Sequence, residues 1–202
     1  MQNRESTEYH LKKAKELLSP YLPMSDEEWA VFSEGLSIRV FKKGMTVLNT
    51  GEVEPYLSIV LDGLTRHYLL LPNGEEKCFD FSFQHEFNCS YASYIQQKPS
   101  VFYIQALEDT VLASLHKRFL DQLYAQYPVS NKFGRIAVEQ YYLWREKREV
   151  SLLVDDAKTR YLNLMEKYPE YMQQVPLKYL ASYLNIKPES LSRIRNELRK
   201  KN

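Results

Sequence analysis

Within the stretch Pro188–Ile194, which reads PESLSRI, Glu189 and Arg193 stand four residues apart, so on a helix they share one face. A carboxylate at that spacing accepts from a cytosine amino group, and a guanidinium donates two parallel bonds to a guanine edge. Other reactive side chains are less well placed. His67, His85, Glu86 and His116 invite a metal reading, but the histidines are 18 and 31 residues apart, whereas a β-roll metal site needs a close His-x-His pair with a Glu soon after. They are expected to be surface or hydrogen-bonded histidines, and no metal is expected. Cys78 and Cys89 are too few for a disulfide framework and read as inert thiols. Nucleophile-elbow, phosphate-loop and HExxH patterns are missing from the sequence, so an enzyme is not expected and no cofactor is called for.

The Glu189–Arg193 pair needs a helix held against a second one, and residues 175–199 supply both. Leu177, Leu180, Ala181 and Leu184 fall on one helical face; Leu191, Ile194 and Leu198 fall on another. Between them Asn185-Ile186-Lys187 has the length of a helix-turn-helix joint, with Asn185 where a left-handed backbone is required. Pro188 opens the second helix at a position where its missing N–H costs nothing. The outward face then offers Glu189, Ser190 and Arg193 to bases. Lys178, Lys187, Ser192, Arg195, Asn196, Arg199, Lys200 and Lys201 are available to phosphates.

Charge follows the same division. Residues 1–128 carry 12 basic and 17 acidic side chains, whereas residues 129–202 carry 15 basic and 9 acidic, within an overall net charge of +1. A polyanion is therefore expected to meet only the C-terminal part, although basic helical termini are common without any such partner.

Upstream, residues 9–19 and 25–35 read as packing helices, the second opened by a capping box from Ser25 to Glu28. From Leu36 to His116 the period shortens to that of about seven strands, with Asp62-Gly63 and Asn73-Gly74 as turns. Helix returns at KRFLDQLYAQYP and again from Val129 to about Leu153. There Val129, Ile136, Leu143 and Val150 recur every seven residues, with Phe133 and Trp144 widening the stripe. That stripe fits pairing with a second copy; a helix packed on its own β-domain would show it too. A further helix follows Asp155-Asp156, where Tyr161, Leu164, Met165 and Tyr168 could support the helix-turn-helix. No run of apolar residues is long enough to span a membrane and the N-terminus lacks a signal-peptide core, so a cytoplasmic location is expected.

A β-roll, a long helix and a C-terminal helix-turn-helix, in that order, resemble the Crp/Fnr family of bacterial transcription regulators over nearly the whole chain. IKPESLSRI is similar to the start of that family's recognition helix, with Glu189 and Arg193 at the base-reading positions and Pro188 where many members have Arg. KKGMTVLNTG and YLSIVLDGLTRHYLLLPNGEE are similar to its opening strands. In the phosphate cassette of cyclic-AMP-binding members a Gly-Glu pair and a later Arg hold the nucleotide. Here EFNCSYASYIQQKPSVFYIQAL has Asn88-Cys89 and Pro99-Ser100 instead. A buried phosphate without a cationic partner is costly, so cyclic AMP is not expected as the ligand. Many members also continue past the recognition helix. Here a wing would have to come before the motif, where residues 169–176 are short for one.

The expected fold class is α+β: an antiparallel β-roll with flanking helices over residues 1–128, a dimerisation helix over 129–153 and a helix-turn-helix domain over 154–202. Expected partners are double-stranded DNA bearing a roughly palindromic operator and a second copy paired through Val129, Phe133, Ile136, Leu143 and Val150. RNA polymerase is a further candidate partner. Asn88, Cys89, Tyr91, Ser100 and Phe102 form a candidate effector pocket, with plain core packing as the alternative for its aromatic members. The rival reading is a ligand-binding or protein-interaction module whose terminal helices do not bind DNA.

Overall fold

The computed structural model describes residues 2–200 apart from 21, 127, 170, 171 and 173. Its described residues form eight helices and eight strands, in the α+β class the sequence implies. Two compact units divide the chain, one of residues 1–67 and 81–137, the other of residues 68–80 and 138–202. The division falls within the long helix, and the second unit takes in the hairpin of residues 68–80 as well as the C-terminal helices.

The first unit opens with α1 (Gln2–Leu18) and α2 (Asp26–Glu34). Ser25 caps α2 through the capping box the sequence announces: its Oγ accepts from Glu28 N at 3.2 Å, and Glu28 Oε2 accepts from Ser25 N at 2.8 Å. The strands are β1 (Leu36–Phe41), β2 (Thr46–Leu48), β3 (Tyr56–Asp62), β4 (Thr65–Leu70), β5 (Glu76–Ser82), β6 (Phe87–Asn88), β7 (Tyr103–Ala106) and β8 (Thr110–His116). They make two four-stranded sheets, ordered β1-β8-β3-β6 and β2-β7-β4-β5. Pairing of β1 and β3 with β8 is antiparallel, Ile38 and Ile59 both facing Ala113 across the sheet. Leu18, Phe32, Ile59, Leu61, Leu115 and Leu120 share the core that joins this sheet to α1, α2 and α4 (Lys117–Gln126). One element goes beyond the sequence reading: α3 (Tyr91–Gln96), a single short helix inside the stretch taken as cassette. It carries no helical period long enough to be read against its strand neighbours.

α5 (Pro128–Val154) runs from one unit into the other. In the second unit follow α6 (Ala157–Lys167), capped by Asp156 Oδ1 on Thr159 N at 2.7 Å, then α7 (Leu177–Tyr183) and α8 (Pro188–Arg199). Tyr161, Leu164, Val175, Leu180, Ala181, Leu184, Leu191 and Ile194 are buried there, and of the α6 residues expected to support α7 and α8, Tyr161 and Leu164 are buried and Tyr168 is half-buried. Met165 is 37% exposed.

Candidate nucleic-acid interface

α7 and α8 pack on one another, and the small Ala181 of α7 is fully buried. Asn185 takes φ 56°, the left-handed conformation that the joint requires. Lys187 is the N-cap of α8 and makes no side-chain capping bond, and Pro188 stands at the helix start. With Leu191 and Ile194 turned inward, Glu189 and Arg193 are exposed together one turn apart. Ser190 beside them is half-buried. Among the phosphate candidates Lys178, Lys187, Asn196 and Arg199 are exposed, while Ser192 and Arg195 are half-buried.

Two guanidinium groups fasten the end of α7, where the last carbonyls of a helix lack partners and carry the negative end of its dipole. Arg160 of α6 donates from Nε and Nη2 to Leu184 O at 3.2 and 3.0 Å, and from Nη1 to Asp155 O. Arg148 of α5 donates to Tyr183 O at 3.0 Å, its guanidinium 3.8 Å from the Tyr183 ring centre. Neither arginine is marked by its sequence neighbours, because each acts through a carbonyl 24 or 35 residues away.

The interior of the roll holds a polar network. Asn88 Oδ1 accepts from Thr65 Oγ1 at 2.8 Å and lies 3.2 Å from His67 Nε2, which is 3.1 Å from Ser82 Oγ. Phe102 stacks on the His67 ring with centroids 5.7 Å apart. Ser100 is buried, its hydroxyl 2.9 Å from Ser90 Oγ and 2.9 Å from Phe102 O. Asn88, Ser100 and Phe102 of the expected effector pocket are therefore neighbours in one network. Cys89 and Tyr91, the other two members of that grouping, are partly buried against the apolar core that holds Leu18 and Leu120. Burial raises the Cys89 thiol well above its usual range, with Glu54 nearby adding to the shift. His67, Thr65 and Ser82 complete the network and were not singled out as pocket residues, since β4 is buried on both faces and shows no alternation to mark an inward side.

Of the expected dimer residues, Leu143 and Val150 are 54% and 50% exposed. The side chains of Val129, Phe133 and Ile136 lie outside the described residues. Among the described residues no three His, Cys, Asp or Glu side chains gather as a metal site, and no helix is long and apolar enough to cross a membrane.

A two-sheet roll followed by a long helix and the α7–α8 pair defines the class of this protein. Residues 38–127 match the cyclic nucleotide-binding domain family, and the chain shares its fold with the solved structures of FixK2, CooA and CLP. FixK2 from Bradyrhizobium japonicum superposes with a TM-score of 0.67 at 18% identity, covering 82% of this chain and 85% of that one. A CooA variant from Carboxydothermus hydrogenoformans gives 0.66 at 15% identity, covering 91% and 84%. CLP from Xanthomonas campestris, described as a c-di-GMP-responsive global regulator, gives 0.63 at 16% identity, covering 85% and 90%. No curated protein matches the chain significantly by sequence.

Proposed function

We propose that this protein is a sequence-specific DNA-binding transcription regulator that acts as a homodimer and does not depend on cyclic AMP. The observation that carries the reading is the exposed Glu189–Arg193 pair at the start of α8, opposite the buried Leu191 and Ile194, behind a joint held by Asn185. Such a helix enters a major groove with its N-terminal residues at base edges. Glu189 accepts from a cytosine amino group, Arg193 donates to a guanine, and Lys178, Lys187 and Arg199 hold phosphates on either side.

Homodimerisation is supported by the C-terminal half of α5, where Leu143, Val150, Leu153 and Val154 are 54%, 50%, 81% and 72% exposed. An apolar stripe of this size on a helix calls for a cover, and a second copy supplies one by pairing the same stripe across a two-fold axis. Two heads then face half-sites about 34 Å apart.

Independence from cyclic AMP rests on what the roll turns inward around Asn88. Hydroxyls of Thr65 and Ser82, the Asn88 amide and the neutral His67 ring already bond to one another. Arg66 is buried but stands between Thr65 and His67 along β4, on the opposite face of the strand, and bonds to Gln105. An anionic phosphate would meet no cationic partner in this network. Calorimetry with cyclic AMP is expected to show no binding at micromolar concentration; micromolar affinity overturns this part of the reading.

Selection of bound duplexes from random DNA, with the footprint measured, tests the main claim. One enriched palindrome is the expected result. Enrichment of nothing, or DNA binding that does not fall with salt, would leave a ligand or protein-interaction module as the better reading.

A further inference from the structure

β5 is the outermost strand of its sheet, so one side of its backbone lacks a strand partner. At Cys78 that side is met by Ser182 of α7. Cys78 N–H donates to Ser182 Oγ at 2.9 Å, and the Ser182 hydroxyl donates to Cys78 O at 3.3 Å. A single hydroxyl thus bonds to both backbone polar groups of a residue on an edge strand. One residue earlier Lys77 Nζ donates to Asn185 Oδ1 at 2.9 Å. Asn185 is the left-handed residue on which the joint between α7 and α8 turns. Both contacts lie inside the second unit.

We propose that Ser182 and Asn185 are positioning residues: they dock the helix-turn-helix on the β4–β5 hairpin and thereby set which half-site spacing the dimer accepts. This inference rests on the DNA-binding reading above. The clamp touches neither Glu189 nor Arg193, so its loss leaves the base-reading chemistry intact. It sits at the start of α8, where Lys77 and Glu75 of the hairpin share a cleft of about 550 Å³ with Lys178 and Lys187. Within the second unit the hairpin is the strut against which the head rests. One added base pair moves a half-site by roughly 3.4 Å and turns it by roughly 36°. A head held on a strut rejects that displacement, and a head free of it follows the groove.

The test uses the full chain and three duplexes: the palindrome enriched by selection, and the same half-sites with one base pair inserted or removed at the centre. The wild type is expected to lose about tenfold in affinity or more on the altered duplexes, the size of a misplaced base contact. In Ser182→Ala the difference should shrink to about threefold or less, with the salt dependence on the original palindrome unchanged and Ser182→Thr restoring discrimination. Lys77→Met, which removes the second contact from a solvent-facing position, should act in the same direction if Ser182→Ala fails to fold. Unchanged spacing discrimination in both variants overturns the inference. So does an equal loss on all three duplexes, which would make Ser182 a direct contact to the DNA rather than a determinant of spacing. If the wild type enriches no palindrome, the functional reading itself has failed. Amide exchange then tests the clamp alone: Cys78 N–H should lose protection in Ser182→Ala, and retained protection overturns the docking.

Discussion

His67 is buried to 4% exposure and bonded within the roll, and burial pushes its imidazole down from 6.5 to about 4. The hydrogen bond to Asn88 acts the other way without prevailing. In the unfolded chain the ring takes a proton near pH 6.5, whereas in the folded chain it resists until near pH 4, so between those values the unfolded state binds more protons. Stability is therefore fully present above pH 6.5 and is lost as pH falls towards 4. Between pH 7 and pH 5 this ring contributes about 2 kcal/mol of that loss. Denaturant titration of His67→Gln should show a correspondingly flatter change over that interval; equal slopes in the two proteins would contradict it. Arg193 is the other residue whose role is separable. Arg193→Ala should cost roughly 1–3 kcal/mol of operator affinity and relax the preference at one base position in a repeated selection. A uniform loss on every sequence would make it a phosphate contact instead.

Elements are held in place by a few polar fastenings at their ends. Gly63 follows Asp62 in the turn between β3 and β4 with φ 85°, and a Cβ there would stand 2.5 Å from Asp109 O. Gly63→Ala should destabilise the fold by about 2 kcal/mol or more, from left-handed strain and from contact with backbone that cannot yield. The denaturation midpoint reports this directly. At α7 the fastening is electrostatic. Arg160→Ala removes two charged hydrogen bonds from Leu184 O and should cost roughly 1.5–3 kcal/mol. Hydrogen exchange should then quicken across residues 177–199 while the strands of the first unit keep their protection.

For the whole molecule the proposed dimer rests on Leu143, Val150, Leu153 and Val154, which α5 leaves exposed. Leu143→Glu combined with Val150→Glu should convert a dimer, measured by sedimentation, into a species with the mass of one chain. Operator affinity should fall with it, because each half-site is then bound alone. A double variant that stays dimeric would assign that stripe to another role.

Much of this was legible from residue order alone. Asp62-Gly63 and Asn73-Gly74 mark turns because left-handed backbone favours Gly and Asn, and both Gly63 and Gly74 have φ near 85°. The capping box of α2, Pro188 at the start of α8 and the helical faces of Leu180, Leu184, Leu191 and Ile194 are likewise local: each depends on residues within a turn or two. α3 escaped because six residues hold too little periodicity, and the packing of Cys89 and Tyr91 on the apolar core was hidden because neighbours in sequence turn to different sides of the chain. The residues 175–199 that read as a helix-turn-helix are local in the same way, so their pattern survives intact in the sequence. What only the tertiary structure decided is what those residues lean on: Arg148 and Arg160 on the end of α7, His67 on Asn88, Cys78 and Lys77 on Ser182 and Asn185. Hydrogen bonds depend on distance in space, and partners up to 108 positions apart leave no period or spacing in the chain to announce them.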